Sequence, residues 1–385
     1  MEDEKCHIFI HHQKEAYLLL SKAAECRKLT DQGLPFHDRL TGLYNRAFFE
    51  EEINRLNSSR QLPISLIFAD LDYLRLINDA LGHEEGDRFL QMTAQVLKNS
   101  CRQEDIITRW GGDEFVILLP QTPFSTAHSI GQRITQQSQA IKAKPVPLCL
   151  SLGIATKERE GQCIKEVMAK AEEAMYHQKT MKDSKTQDFI LSSLKKTIRE
   201  IYQATGNHLN SFLYIRLHQL AGKALGLSEE QLEQLYLLAT FHDIGKVGLP
   251  WEILRKNNTL SPEEWKKVKL IPEIGYRIAR SLSHLAAIAP TIFSYYERWD
   301  GTGYPRGLRE QEIPLLSRIS SLINAYCAML TQRPYAPAKS PAEAEKEIIL
   351  NSGQQFDPEL VKLFVELNPS TLFSQNLLRK NLQAR

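Results

Sequence analysis

The sequence predicts two domains, an α/β domain with a mixed sheet followed by an all-α domain. At 385 residues the chain is long enough for two separate hydrophobic cores. Strand-like apolar runs alternate with helical periodicity over residues 37–180. From about residue 185 the strand pattern disappears and the apolar spacing is helical.

Composition excludes several classes of function. With 48 basic and 46 acidic residues, the formal charge of +2 favours neither nucleic acid nor an anionic membrane. The six cysteines form no CxxC pair, so we expect reduced thiols instead of a zinc cage or disulfide framework. No apolar run approaches the roughly 18 residues of a membrane span. The N-terminal charge order is unlike a signal peptide, and we expect a cytoplasmic protein.

The elements of the first half follow from local patterns. Residues 1–36 predict an N-terminal helical segment, equally suited to dimerisation and to simple capping. Strands are predicted at 63–70 and 146–155, and as a hairpin around Gly111 and Gly112. Helices are predicted at 84–100, 123–141 and 164–179.

Helical periodicity dominates the second half. Helices are predicted at 186–204, 210–225, 228–242, 261–270 and 316–330. The segment between the domains has no Pro or Gly break, which favours a continuous helix over a loose tether. We therefore divide the chain into an α/β domain at 37–182, a linker helix at 183–200, a helical domain at 201–370 and a tail at 371–385.

Two carboxylates follow a glycine pair in the run RWGGDEF. Gly111 and Gly112 allow the backbone to approach a phosphate, and Asp113 and Glu114 are suited to holding Mg²⁺. Upstream, a hydrophobic strand ends in Asp70, whose carboxylate can meet Asp113 across neighbouring strands. The pattern predicts a two-metal site for phosphoryl transfer.

Polar residues suited to reading a purine follow the first of these carboxylates. Asn78 and Asp87 offer an amide and a carboxylate to the donor edge of guanine. A base with unmatched edge groups would leave them unpaired, which gives such a site its selectivity.

Four segments in order carry a family resemblance: HDRLTGLYNRAFFEEE, FADLDYLRLINDALGHEEGD, RWGGDEF and AEEAMYHQK. This region resembles a GGDEF domain of the diguanylate cyclase family. The resemblance implies a nucleotide-cyclase-like palm fold, Mg²⁺ or Mn²⁺, and a homodimer that joins two GTP molecules into cyclic di-GMP. It assigns metal binding and catalysis to Asp70, the Leu71 carbonyl, Asp113 and Glu114, guanine to Asn78 and Asp87, and phosphates to Arg75 and Lys179, beside Gly111 and Gly112.

The region also departs from the family pattern. Arg75 replaces the usual lysine, and Asp183 stands close to where the family has a phosphate-contacting arginine, which puts GTP affinity in doubt. Arg102 and Asp105 occupy the place of the family's RxxD inhibitory site for the product. As a bare pattern, RxxD also fits a surface ion pair.

The second half resembles an HD-GYP domain, a family of cyclic di-GMP phosphodiesterases with iron or manganese. Its motifs are TGNH, FHDIGKVGLP, WDGTGYP and QRPY. Matching ligands are His208, His242 and Asp243, followed by Lys246. At other ligand positions the sequence has Ile271, Tyr295, Tyr296, Asn324 and Cys327.

The substituted residues are poor ligands for iron or manganese. At best one metal position survives, through His208, His242, Asp243 and Asn324, so we expect no complete metal centre. A diguanylate cyclase whose inactive HD-GYP-like half serves regulation or dimerisation is therefore the leading hypothesis. A non-catalytic module that binds GTP or cyclic di-GMP, a phosphodiesterase, and a cyclase with a mixed guanine-adenine product are the alternatives.

Overall fold

The computed structural model describes residues 36–141, 143, 145–205, 211–256, 258–332 and 337–373, and for residues 182–184, 211 and 212 the backbone alone. The predictions for the N-terminal segment over residues 1–35, for His208, for the side chain of Asp183 and for residues 374–385 therefore lie outside the described part of the chain.

The described strands form a mixed five-stranded sheet in the order β1-β3-β4-β2-β5. They are β1 (Tyr44–Asn45), β2 (Ile64–Leu71), β3 (Ile106–Gly111), β4 (Glu114–Leu119) and β5 (Leu150–Lys157). Only the pair of β1 and β3 is parallel among these strands. The predicted mixed sheet and the hairpin of β3 and β4 are thus confirmed.

Strand β2 lies between β4 and β5, and all eight of its residues are buried. A strand covered on both faces reads as a continuous apolar run, which explains the sequence ISLIFADL. The prediction for β5 was wrong at its start, because the strand begins at Leu150 instead of residue 146. Pro147 lacks the N–H that a ladder hydrogen bond requires, so the segment around it is not paired.

Four helices accompany the sheet in the sequence: α1 (Arg46–Leu56), α2 (Leu74–Leu81), α3 (His83–Ser100) and α4 (Phe124–Ala140). Within the described residues, 36–72, 87–141 and 148–181 form one compact unit. The second unit comprises 73–86, 143, 145–147 and 182–373, and so includes α2.

Helix α5 (Ile164–Ala204) runs without interruption through the predicted linker. Its first part belongs to the first unit and its last part to the second. In the second part, Ile198 and Ile201 are buried, and Tyr202 lies in the last turn. The expectation of a continuous helix is confirmed over these residues.

The second unit is helical, as predicted. Its further helices are α6 (Ser211–Ala224), α7 (Glu229–Phe241), α8 (Trp251–Leu254), α9 (Pro262–Val268), α10 (Ile271–Arg280), α11 (Ser283–Ala286), α12 (Ala289–Phe293), α13 (Leu315–Met329), α14 (Pro341–Leu350) and α15 (Pro358–Glu366). Capping boxes at Ser228, Ser261 and Ser340 satisfy the first N–H groups of α7, α9 and α14.

Candidate functional site

Three acidic residues meet where β2 and β4 run side by side. Asp70 lies opposite Glu114 in the antiparallel register. The backbone N–H of Leu71 donates to the carbonyl oxygen of Asp113 at 2.9 Å. The hairpin therefore brings Asp70, Asp113 and Glu114 together as the sequence predicts, with Gly112 and Asp113 at the turn.

The electrostatics of this acidic cluster favour a cation. Burial raises the pKa of Glu114, and the negative charges of Asp70 and Asp113 raise it further. The pKa of Asp70 is also raised, mainly by burial, although Lys179 acts in the opposite direction. Carboxylates that destabilise one another's charge gain from a bound divalent cation, and oxygen donors are those that Mg²⁺ prefers.

Lys179 on α5 contacts this cluster directly. Its Nζ donates to Asp70 Oδ1 at 2.7 Å, whereas the family resemblance implies a contact with the terminal phosphates. In the described part of the chain, no three His, Cys, Asp or Glu side chains are arranged to hold a metal ion. A metal at Asp70 has to compete with Lys179 for the same carboxylate.

Asp72 is a further buried carboxylate that the sequence reading missed. It accepts a hydrogen bond from Ser151 Oγ at 2.8 Å, and its charge contributes to the raised pKa of Lys179. The signal was available, because Asp70 and Asp72 are two residues apart in DLD and project to the same face when the chain is extended.

The proposed guanine and phosphate readers follow on α2 and α3. Asn78 lies on α2 and packs against Gly86 so closely that a Cβ at residue 86 would stand 1.8 Å from Asn78 Oδ1. Arg75 points to solvent with 88% of its side chain exposed, and its guanidinium lies 3.6 Å from Asp79. Asp87 is exposed one residue after Gly86.

The RxxD residues form a compact turn. The backbone N–H of Arg102 donates to Asp105 Oδ2 at 2.7 Å, and burial raises the pKa of Asp105. The turn borders a cavity of about 450 Å³ that is also lined by Lys98 and Tyr44. Arg102 and Asp105 are thus brought together at a concave surface, where a ligand has room to bind.

In the second unit, His242 and Asp243 follow the end of α7 and are buried. Asp243 accepts three side-chain hydrogen bonds. Tyr296 donates to Oδ1 at 2.7 Å, while Tyr202 and Lys246 donate to Oδ2 at 2.9 and 2.5 Å. Despite burial, the positive charge of Lys246 is the leading effect that holds the pKa of Asp243 well below its usual range.

Aromatic rings enclose the imidazole of His242. The ring of Tyr295 stacks on it at 4.7 Å, and the hydroxyl of Tyr214 lies 3.3 Å from Nδ1. Burial lowers the pKa of His242, so the ring is neutral at neutral pH. At these family ligand positions, Tyr295 therefore contacts His242 through its ring, and Tyr296 contacts Asp243 through its hydroxyl.

Ile271, Asn324 and Cys327 stand at other positions where the family resemblance implies ligands. Ile271 is buried at the start of α10, where its carbonyl stands so close to Gly245 that no larger residue fits there. Asn324 and Cys327 lie on α13. Burial raises the pKa of the Cys327 thiol, which disfavours the thiolate that a metal would need.

The sequence reading also missed His218, which is buried on α6. Its Nδ1 lies 2.7 Å from the Tyr214 carbonyl oxygen and its Nε2 3.0 Å from Ser320 Oγ. Burial lowers its pKa to about 3, so it is neutral. Both nitrogens are engaged within the protein, and His218 is a structural residue.

The GYP turn at residues 303–305 is fixed by nearby hydrogen bonds and by ring stacking. Glu297 accepts from the backbone N–H groups of Arg306 and Leu308 at 2.8 and 3.1 Å. The ring of Tyr304 stacks on Tyr296 with centroids 5.3 Å apart. The turn is thereby packed onto one of the tyrosines that contact Asp243.

Comparison with known families divides the chain in two. Residues 35–185 match the model "Diguanylate cyclase, GGDEF domain", and residues 193–360 match the model "HD domain". No helix in the described part of the chain combines the length and apolar character needed to cross a bilayer.

Curated relatives include cyclic dinucleotide phosphodiesterases and diguanylate cyclases. A cyclic di-GMP phosphodiesterase of Thermotoga maritima is 41% identical over 145 residues, which are 37% of this chain and 39% of that protein. The diguanylate cyclase DgcM of Escherichia coli is 33% identical over 179 residues, 45% of this chain and 43% of the relative. The chain spans less than half the length of each of these relatives.

Among solved structures, the GGDEF domain of DgcB from Caulobacter crescentus in complex with c-di-GMP is 25% identical. The match covers 38% of this chain and 91% of that chain, with a TM-score of 0.36.

Proposed function

Since residues 35–185 form a GGDEF domain and residues 193–360 an HD domain, we propose that the chain is a diguanylate cyclase with a catalytically inactive HD half. The observation that supports it most is the meeting of Asp70, Asp113 and Glu114 at the edge of the hairpin. A cyclase of this family condenses two GTP molecules into cyclic di-GMP, each held by one subunit of a homodimer.

Each residue has a proposed role in this reaction. Asp70, Asp113 and the Leu71 carbonyl would hold the cations, and Glu114 would assist them or the attacking 3′-hydroxyl. Bound Mg²⁺ or Mn²⁺ supplies charge stabilisation at the α-phosphate. Lys179, which donates to Asp70 in this structure, would contact a phosphate if a cation took that carboxylate, while Asn78 and Asp87 would read the guanine. The turn of Arg102 and Asp105 binds the product as an inhibitor.

The direct test is incubation of the purified full-length protein with GTP and Mg²⁺, followed by identification of the products. Cyclic di-GMP is the expected product. Its absence under conditions in which the protein is a dimer would remove the proposal.

A binding module is the second candidate, and one observation favours it. The ammonium of Lys179 occupies Asp70, the carboxylate that a metal needs. If the metal fails to displace it, GTP or cyclic di-GMP is bound but not turned over. Calorimetry showing tight binding of GTP by protein that makes no product would select this alternative.

The contact of Asn78 with Gly86 offers a test of guanine binding. Gly86→Ala places a methyl group where Asn78 Oδ1 now lies, so the amide must move. We expect KM for GTP to rise on the order of tenfold, because small displacements of a positioning group have large effects. Steady-state kinetics measures it. Gly161→Ala is the control, since a Cβ there meets nothing within 4 Å. An unchanged KM in Gly86→Ala contradicts the role of Asn78.

Restoring histidines should not restore hydrolysis. In the double variant Tyr295→His and Tyr296→His, Ile271 and Asn324 still leave the centre incomplete, and Lys246 still binds Asp243. We expect no linear dinucleotide from cyclic di-GMP in the presence of Mn²⁺ or Fe²⁺. Wild-type protein and a known active phosphodiesterase are the two controls. Hydrolysis by the double variant, or two tightly bound metal ions in the wild type, would revive a phosphodiesterase.

A further inference from the structure

The hydroxyl of Tyr202 joins the last turn of α5 to a buried carboxylate in the interior of the second unit. Tyr202 Oη donates to Asp243 Oδ2 at 2.9 Å and lies 3.4 Å from His242 Nε2. On the same stretch of helix, Ile198 and Ile201 are buried in the apolar core. The helix end thus has both an apolar contact and a polar one with a fixed direction.

Asp243 receives its other donors from two different segments. Tyr296, which follows α12, donates to Oδ1, and Lys246 in the 3-10 helix Ile244–Gly248 donates to Oδ2. Burial and the charge of Asp243 raise the pKa of both Tyr202 and Tyr296 well above 10.0. Both phenols therefore keep their protons and remain donors at any ordinary pH.

Charge balance makes this arrangement self-sufficient. A buried carboxylate is stable only when it is paired and hydrogen-bonded. The ammonium of Lys246 supplies the positive charge, and the two phenols supply donors to separate oxygens. A metal ion likewise supplies positive charge to an aspartate ligand. Here the protein's own side chains supply the charge and the hydrogen bonds.

We infer that Tyr202, Tyr296 and Lys246 around Asp243 form a metal-independent anchor for the end of α5, which we call the tyrosine clamp. One carboxylate joins the connecting helix, the segment before the GYP turn and the 3-10 helix. Hydrogen bonds to a charged, buried acceptor are about twice as strong as neutral ones, so each phenol matters. The inference concerns anchoring alone and is independent of the proposed cyclase reaction.

Hydrogen-deuterium exchange of the full-length protein without nucleotide tests the clamp. Tyr202→Phe removes the hydroxyl and keeps the ring. We expect the amides of residues 198–204 to exchange on the order of tenfold faster than in the wild type. The control is Tyr236→Phe on α7, a phenol of the same unit that is 47% exposed. In that variant the exchange of residues 198–204 should be unchanged.

Two further experiments could refute the inference. Treatment of the wild type with a strong chelator should leave the exchange of residues 198–204 unaltered, because no metal holds the anchor. Tyr296→Phe, which removes the donor to the other oxygen, should also speed this exchange, and it substitutes for Tyr202→Phe if that variant does not fold. Unchanged exchange in the phenylalanine variants, an equal effect in Tyr236→Phe, or faster exchange after chelation would each overturn it.

Discussion

Replacement of Asp113 by alanine is expected to abolish the synthesis of cyclic di-GMP. The variant loses a carboxylate from the acidic cluster at the end of the hairpin, where its charge acts on both Asp70 and Glu114. Charge stabilisation at a phosphoryl centre depends on preorganised groups, and loss of one typically costs on the order of 10²–10³ in rate. We expect a loss of at least this size in product formed from GTP and Mg²⁺.

The control for this experiment is Asp188→Ala, which removes an aspartate with 65% of its side chain exposed from α5. Its rate should equal that of the wild type. Both variants should remain folded, since Asp113 lies at a turn and is only partly buried. If Asp113→Ala keeps most of the activity, the acidic cluster is not the site of the reaction and the cyclase proposal fails.

Removal of the ammonium of Lys246 should give the largest loss of stability in the second unit. Lys246→Met leaves the buried Asp243 with its phenol donors but with no positive partner. Breaking a buried pair from one side typically costs about 3–5 kcal/mol, because a buried charge stays uncompensated. We expect the unfolding transition to move to lower denaturant concentration by a corresponding amount. Tryptophan fluorescence follows it through Trp251, Trp265 and Trp299.

Two comparisons give this measurement its meaning. Lys256→Met breaks an ion pair with Glu264 near the surface and should have a much smaller effect. The pKa of Asp243 is lower in the folded protein than its ordinary 3.8, so its contribution is present above that pH and is lost in acid. The difference between Lys246→Met and the wild type should therefore persist at pH 7 and shrink below pH 3.8. Equal stability of the two lysine variants would show that Asp243 does not depend on Lys246.

Local patterns predicted most of the fold because they report directly on periodicity and burial. The alternation around Gly111 and Gly112 placed the hairpin, and the absence of Pro and Gly placed the continuous helix α5. The start of β5 was missed because VPLCLSLGIA is a mostly apolar run, and the effect of Pro147 on strand pairing was not weighed against it. Helix α2 was not predicted, although its apolar residues follow a helical period, because it has only eight residues.

The candidate sites were predictable to different degrees. Asp70 and Asp113 were found because the end of an apolar strand and a glycine-containing turn are both visible in the local sequence. The contact of Lys179 with Asp70 joins residues 109 positions apart, and no local pattern reports it. The same holds for Tyr202, which reaches Asp243 from 41 positions away. The sequence shows which metal ligands are replaced, but not which side chains bind Asp243 in place of a metal.

If the tyrosine clamp holds α5 without a metal, the stability of the helical half does not depend on the supply of trace metals. The HD-GYP resemblance implies a helical half whose buried aspartate binds iron or manganese. Here Lys246 and the phenols are encoded in the chain, and under the inferred clamp they bind Asp243 without a metal. Under the proposed function, the demand for a divalent cation lies with the acidic cluster of the first unit, which would take magnesium or manganese. The helical half would keep its fold in cells starved of iron.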